Sequence, residues 1–165
     1  HFSTVAKSTN LPICLYSIPG RCNVEIAIET AVQLAADFPN IVAIKEAGGT
    51  PDRVSQLRAA LGSKFSILSG DDSMTLPFMS VGAQGVISVA SNIIPRQLSK
   101  MVHGYLKGDA KAALRLHEKY YPSLNLYVLQ LVYDDLSFYV ANAKTLKSFN
   151  LGGSDVFVPC IIILI

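Results

Sequence analysis

Four short apolar runs recur along the first half of the chain, and each is nearly continuous in hydrophobicity. They begin at Leu11, Asn40, Lys64 and Ala83, and they read LPICLYSIP, NIVAIKEA, KFSILSGDD and AQGVISVAS. Unbroken runs of this length are typical of strands buried on both faces, as in a parallel sheet covered by helices. The runs start roughly 20 to 30 residues apart, which leaves room for one helix in each gap.

Helix signals lie between and after these runs. An Asn, Thr or Asp ahead of a helical pattern predicts an N-cap, a Pro suits the first turn, and a later Gly or Pro predicts the end. These signals predict helices over 24–38 after Asn23, 51–61 after Thr50, 73–81 after Asp72, 95–106 from Pro95, and 110–121 after Asp109. Residues 124–149 also have a helical pattern, with a break near Asp134 and Asp135.

Strands that alternate with helices form a parallel sheet, because right-handed crossovers bring each strand beside its predecessor. The order βαβαβαβ followed by several helices therefore predicts an α/β fold. Two architectures suit this order, an open doubly wound sheet and part of a (β/α)8 barrel. A complete barrel needs about 250 residues, so this chain provides at most half of one. In both architectures the functional edge is the carboxyl end of the strands.

Composition narrows the class of protein. Half of the 165 residues are hydrophobic and 16% are charged, which is typical of a globular domain rather than a disordered chain. The net charge of +2 comes from scattered Lys and Arg, so nucleic acid is not an expected partner. No run reaches the roughly 18 apolar residues of a membrane span, so no membrane association is expected.

The remaining composition bears on cofactors and compartment. The three cysteines, Cys14, Cys22 and Cys160, have no metal-like spacing, and they indicate thiols in a reducing compartment. No glycine-rich phosphate loop is present. We therefore expect a cytoplasmic protein with neither a metal nor a cofactor. The first residue is not Met and the ending VPCIIILI is wholly uncharged, so we also expect the chain to be a fragment.

Lys45 is the most informative residue at the predicted strand ends. A lysine at the end of a buried strand is poorly solvated, which lowers its pKa and leaves more of the uncharged amine. Such an amine can attack a ketone and form a Schiff base. The alternative is a structural lysine paired with Glu46 or with an acid in a neighbouring loop.

Other polar side chains reach the same edge. Tyr16 could relay the protons that imine formation requires, or it could be an aromatic residue at the mouth of the site. Arg21, after a Pro-Gly turn, suits a bidentate contact with a substrate carboxylate, and the alternative, which its position alone favours, is a surface arginine. The paired carboxylates of Asp71 and Asp72 in SGDD suggest a metal site. Asp72 directly precedes a predicted helix, however, so helix capping is the preferred interpretation.

Together these segments resemble the dihydrodipicolinate synthases, class I aldolase-type lyases of the N-acetylneuraminate lyase superfamily. The stretches LPICLYSIPGRC, NIVAIKEAGG, FSILSGDD and GAQGVISVASNIIP carry the resemblance in the family's order, over about 11–95. The resemblance implies the second half of a (β/α)8 TIM barrel, strands five to eight, with C-terminal helices. It divides the chain into a half-barrel (1–95), a helical region (96–155) and an atypical apolar tail (156–165).

The resemblance also implies roles for individual residues. Lys45 matches the lysine that forms a Schiff base with pyruvate, and Tyr16 matches the tyrosine that relays protons. Arg21 matches the arginine that binds the carboxylate of the second substrate, L-aspartate 4-semialdehyde. Ile87 matches the residue whose backbone meets pyruvate, and Gly70 lies beside it. The implied product is 4-hydroxy-tetrahydrodipicolinate, a step in lysine and diaminopimelate biosynthesis, and the implied assembly is a homotetramer.

Some family features are absent from this sequence. The first four strands are missing, and with them a threonine and a second tyrosine of the proton relay, so we expect little or no activity from this chain alone. The family's Asn-Pro-x-Pro segment is not found in VYDDLSFYVANAKTLKSF. Two alternatives stay open, a sialic acid or sugar-acid lyase of the same superfamily, against which Arg21 argues, and a non-catalytic α/β fragment.

Overall fold

A computed structural model of the chain describes residues 1–134 and 161–164. Strands and helices alternate over the first hundred residues, and the described residues from 101 to 134 are mainly helical. The described strands are β1 (Ile13–Ser17), β2 (Ile41–Glu46), β3 (Ser66–Ser69) and β4 (Ile161–Leu164). The described helices are α1 (Phe2–Lys7), α2 (Pro19–Cys22), α3 (Ile28–Asp37), α4 (Pro51–Leu61), α5 (Thr75–Ser80), a 3-10 helix (Ala90–Asn92), α6 (Pro95–Leu106) and α7 (Ala110–Asp134).

The strands form one parallel sheet in the order β3-β2-β1-β4. The predicted α/β class and parallel sheet are therefore confirmed. The register of β1 on β2 places Tyr16 opposite Lys45 and Ser17 opposite Glu46. Two residues that are far apart in the sequence thus become neighbours at the carboxyl edge of the sheet.

The two faces of the sheet differ in the side chains they carry. Ile13, Leu15, Ile44 and Ile67 lie on one face and join the main hydrophobic core with helical residues such as Phe78. Because side chains alternate along a strand, the opposite face receives Cys14 and Tyr16 from β1 and Ala43 and Lys45 from β2. The apolar helix contacts are therefore on one face, and the candidate chemistry is on the other.

The prediction of a fourth strand beginning at Ala83 is mostly wrong. The segment is extended and runs parallel to β3, and it pairs there through a single bridge between Ser69 and Val86. Ser69 donates to the carbonyl of Gly85, and Ile87 donates to the carbonyl of Ser69. The ladder ends there because the following residues turn into the 3-10 helix.

The apolar tail contributes an edge strand where the sequence predicted only an unusual ending. Ile161–Leu164 pairs in parallel with β1, with Ile161 opposite Ile13 and Leu164 opposite Tyr16. The rest of that predicted segment, 156–160 and 165, lies outside the described residues. Residues 135–155 of the predicted helical region also lie outside the described residues, and so does most of the stretch VYDDLSFYVANAKTLKSF.

The helix predicted over 24–38 begins later than expected. Asn23 does not cap it; this residue has a positive φ of 55° and ends the short helix α2. Asn adopts the left-handed conformation more readily than other residues with a side chain, so the same residue type can mark a stop or a start. Helix α3 begins at Ile28.

The other helix boundaries agree with the sequence in most cases. Helix α4 has Pro51 in its first turn and Gly62 after its end, and Pro95 opens α6 as predicted. Asp109 caps α7, since its Oδ1 accepts the N–H of Ala112 at 2.9 Å. The predicted end before Pro122 is wrong, because α7 continues through this residue to Asp134. Helix α7 also packs against α6.

Candidate active site

Lys45 is buried near the carboxyl end of β2, with 4% of its surface exposed. Burial lowers the pKa of its amine from 10.5 to about 8, and the Arg21 charge acts in the same direction. Cys14 and Asp72 oppose this shift. Near pH 8 about half of the lysine is therefore the uncharged amine, against well under 1% for an ordinary lysine.

Tyr16 is the neighbour of Lys45 on the paired strand. The Lys45 Nζ lies 3.9 Å from the centroid of the Tyr16 ring, and both side chains are buried. An ammonium over an aromatic face is attracted by the ring, which fixes the direction of the lysine side chain. The structure thus brings the amine of Lys45 and the ring of Tyr16 into contact.

Glu46 is not the partner of Lys45. Its side chain points to the opposite face of β2 and accepts hydrogen bonds from Arg53 Nε at 2.9 Å and from the N–H of Gly48 at 2.6 Å. Burial raises the pKa of Glu46, and Arg53 opposes that effect. The alternative of a structural lysine paired with Glu46 is therefore wrong. Among the described residues, Lys45 has no ion-pair partner.

Gly70 lies directly against the Lys45 side chain. A Cβ on Gly70 would stand 2.8 Å from the Cβ of Ala47 and 3.0 Å from the Cε of Lys45. The first distance is shorter than packed side chains allow, and the second is tight enough that the lysine side chain would have to shift. The N–H of Gly70 donates to the carbonyl of Glu46 at 2.7 Å, so the loop after β3 is attached to the end of β2. Glycine at this position leaves the room that the lysine occupies.

Arg21 and Ile87 lie farther from the amine. Arg21 is exposed on α2, and its charge is close enough to lower the pKa of Lys45. Ile87 is half-buried on the extended segment beside β3, and its N–H is bonded to Ser69 at 2.9 Å. The structure therefore brings Lys45, Tyr16 and Gly70 into one cluster, with Arg21 and Ile87 on flanking segments.

Asp72 has a different role from the predicted helix cap. Its Oδ2 accepts the N–H groups of Val89 and Ala90 at 3.1 and 3.0 Å, so it begins the 3-10 helix rather than α5. The local turn is made instead by Asp71, whose Oδ1 accepts the N–H of Ser73 at 2.9 Å. Asp72 is buried, which raises the pKa of its carboxyl group. Sequence spacing alone did not distinguish the two acids.

Two features are absent from the described residues, a metal-binding cluster and a membrane-spanning helix. No group of three or more His, Cys, Asp and Glu side chains there is arranged to hold a metal ion. Within the same residues, no helix combines the length and the apolar composition that a membrane crossing requires.

Most of the chain is similar to proteins of a single family. Residues 1–141 match the family model described as the dihydrodipicolinate synthetase family. The chain belongs to this family. It is 48% identical over 117 residues to the 4-hydroxy-tetrahydrodipicolinate synthase of Aquifex aeolicus, a match that covers 71% of this chain and 40% of the relative. It is 43% identical over 122 residues to that of Bacillus subtilis, covering 74% of this chain and 42% of the relative.

Solved structures show the same relationship. The 4-hydroxy-tetrahydrodipicolinate synthase of Methylacidiphilum fumariolicum SolV is 47% identical with a TM-score of 0.77, covering 99% of this chain and 52% of that one. The Aquifex aeolicus dihydrodipicolinate synthase structure is 41% identical with a TM-score of 0.75, covering 83% and 45%. The chain spans about two fifths of the length of the curated relatives that it matches. The family resemblance predicted from the four motifs is confirmed.

Proposed function

We propose that this chain carries the Schiff-base half of a class I aldolase-type lyase that condenses pyruvate with L-aspartate 4-semialdehyde to 4-hydroxy-tetrahydrodipicolinate. The observation that carries the proposal is the Lys45 amine, buried against Tyr16 with a pKa of about 8. A buried lysine with a lowered pKa is the nucleophile that imine formation with a ketone needs. The names of the curated relatives support the reaction.

The chemistry begins when the Lys45 amine attacks the carbonyl carbon of pyruvate. The carbinolamine loses water to give an imine, and Tyr16 supplies and removes the protons of these steps. Loss of a methyl proton converts the imine into an enamine, whose carbon attacks the aldehyde of the second substrate. The amino group of the second substrate then attacks the carbon of the Lys45 imine, which closes the ring, releases the Lys45 amine and leaves the C=N bond in the cyclic product.

Three other residues would position the substrates. Arg21 would bind the carboxylate of the aldehyde substrate through two parallel hydrogen bonds. The Ile87 backbone and Gly70 would contact the pyruvate end of the site. The close packing at Gly70, where a side chain would displace Lys45, supports this assignment.

The same proposal includes the wider setting of the chain. The segregation of helix contacts to one face of the sheet and of Lys45 and Tyr16 to the other supports a half-barrel with the site on its inner face. The homotetramer, the place in lysine and diaminopimelate biosynthesis and the cytoplasmic location come from the family relationship. They belong to the proposal for the whole protein.

The decisive experiment is reduction with borohydride in the presence of pyruvate, followed by peptide mass spectrometry. It is run on the 165-residue chain and on the same chain joined to the portion of the Aquifex aeolicus relative that it does not match. We expect a pyruvyl adduct on Lys45 that Lys45→Arg abolishes. The matched control is Lys64→Arg, an exposed lysine ahead of β3, which should leave the adduct unchanged.

A second arm identifies the other substrate. L-Aspartate 4-semialdehyde and N-acetylneuraminate are compared with the joined chain, and Arg21→Leu is tested beside the charge-conserving Arg21→Lys. Condensation with the semialdehyde that weakens in Arg21→Leu supports the proposal. Absence of any adduct on Lys45 in both chains would contradict it, as would cleavage of N-acetylneuraminate without condensation.

A further inference from the structure

Arg53 lies on the face of β2 opposite to Lys45, and it connects three separate segments. Its Nε donates to Glu46 Oε2 at 2.9 Å, and its Nη1 lies 3.1 Å from Glu25 Oε2. Its Nη2 donates to the carbonyl of Ile26. All three guanidinium nitrogens of Arg53 therefore have partners, although Arg53 plays no part in the reaction described above.

This cluster of Arg53, Glu46 and Glu25, which we call the arginine clamp, is closely packed. A Cβ on Gly48 would stand 2.7 Å from Glu46 Oε1 and 2.9 Å from Glu25 Oε1. Arg53 and Glu46 are both buried, and only Glu25 is substantially exposed, at 44%. Buried ion pairs contribute little net stability because desolvation opposes their attraction, and their better attested role is to specify one arrangement.

The arginine clamp specifies the position of the loop that carries Arg21. This loop leaves β1 at Ser17 and returns at Ile26, whose N–H donates to Ser17 Oγ at 3.4 Å. Arg53 attaches the same return point to the end of β2, the strand that bears Lys45. Arg21 lies in this loop, between Ser17 and Ile26, and among the described residues it has no ion-pair partner of its own.

We propose that Arg53 is a positioning residue, which with Glu25 fixes the loop of Arg21 relative to Lys45 and so sets where the carboxylate of the aldehyde substrate binds. This inference rests on the proposed function, since that function makes Arg21 the carboxylate-binding residue. A guanidinium that is already in place loses less freedom when the substrate binds, and small misplacements of such a group are costly.

Two variants weaken the clamp without leaving a buried charge unpaired. Glu25→Gln removes the exposed acid and keeps the contact between Arg53 and Glu46, and Arg53→Lys keeps the charge but loses the fork of donors. The matched control is Arg58→Lys on the same helix. Arg58 donates to the carbonyls of Phe65 and Gly82, both at 2.8 Å, which precede β3 and the segment from Ala83 and so lie at the other end of the sheet.

The first measurement is backbone hydrogen exchange of the 165-residue chain. We expect faster exchange over 18–26 in both clamp variants and unchanged exchange there in Arg58→Lys. The second measurement is steady-state kinetics in the chain joined to the portion of the Aquifex aeolicus relative that it does not match. We expect KM for the semialdehyde to rise roughly tenfold in the clamp variants, with kcat and the rate of pyruvate adduct formation within about twofold.

Each contrary result has a distinct meaning. Unchanged exchange over 18–26, or an unchanged KM despite faster exchange, would overturn the positioning role of Arg53. If pyruvate adduct formation slowed by as large a factor as KM rose, the positioning role would also be overturned, because the clamp would then support Lys45 itself. Failure of the unsubstituted joined chain to form the pyruvate adduct would instead contradict the proposed function, since that assay needs no second substrate.

Discussion

The Nζ of Lys45 lies 3.9 Å from the centroid of the Tyr16 ring, on two strands that pair directly at these residues. The contact joins the ring and the amine on the face of the sheet that carries few helix contacts. The ring orients the amine, while its hydroxyl is the group that could transfer protons. These two contributions can be separated by substitution.

Tyr16→Phe should slow imine formation while leaving the fold intact. The phenylalanine keeps the ring against Lys45 and loses only the hydroxyl, so we expect borohydride trapping with pyruvate to fall by about 10²-fold. The free energy of unfolding should change by less than about 1 kcal/mol. Equal trapping rates in the variant and the unsubstituted chain would exclude the hydroxyl as the proton relay.

The pH dependence of stability should show the burial of Lys45. Its pKa is about 8 in the folded chain and 10.5 for an ordinary lysine. Between these pH values the unfolded state binds more protons, so the free energy of unfolding should rise with pH over this range. Below pH 8 both states are protonated, and burial of the cation then costs on the order of 3 kcal/mol.

Lys45→Met should therefore be more stable than the unsubstituted chain at pH 7, by up to about 3 kcal/mol. The difference should shrink between pH 8 and 10 in urea titrations. The control Lys64→Met removes an exposed lysine and should leave the slope with pH unchanged. A constant difference between Lys45→Met and the unsubstituted chain across this range would contradict the lowered pKa.

Gly70→Ala should displace the Lys45 side chain. The added methyl would meet the Cε of Lys45 at 3.0 Å and the Cβ of Ala47 at 2.8 Å. We expect a loss of stability of about 1–3 kcal/mol and a pyruvate adduct that forms at least roughly tenfold more slowly. Gly85→Ala is the control, because its nearest neighbour would be at 3.6 Å, an ordinary packing distance. If both variants trap pyruvate equally well, Gly70 does not shape the lysine site.

Asp72 should stabilise the fold by holding the start of the 3-10 helix that follows the extended segment. Asp72→Ala removes the acceptor of the Val89 and Ala90 N–H groups, so we expect a loss of about 2–4 kcal/mol. Asp72→Asn keeps an oxygen acceptor and should lose less. Asp71→Asn changes an exposed neighbour and is the control in the same chemical unfolding experiment. Equal losses in Asp72→Asn and Asp72→Ala would mean that the charge of Asp72, rather than its backbone contacts, carries the effect.

The same substitution should also move the titration of Lys45. The Asp72 charge raises the pKa of the lysine, so Asp72→Asn should lower it further. The pH midpoint of pyruvate adduct formation should then move to lower pH than in the unsubstituted chain. A midpoint that stays in place in Asp72→Asn, or that moves equally in Asp71→Asn, would show that Asp72 has no electrostatic influence on the site.

Local sequence patterns were sufficient to predict much of the fold. The three strands that begin at Ile13, Ile41 and Ser66 follow from continuous apolar runs, and α4 and α6 follow from their opening prolines. Lys45, Tyr16 and Gly70 could be assigned to one edge because parallel strands share their carboxyl ends. Such inferences depend only on neighbours in the sequence and on the direction of the chain.

Contacts between distant residues required the folded chain. Glu46 and Arg53 come together because alternation sends Glu46 to the face opposite Lys45, where helix α4 covers the sheet. Asp72 binds backbone groups 17 and 18 residues away, and a capping pattern at its own position cannot reveal that choice. The pairing of Ile161–Leu164 with β1 depends on which sheet edge is available. Sequence specifies which groups are present, and packing selects among the partners they could take.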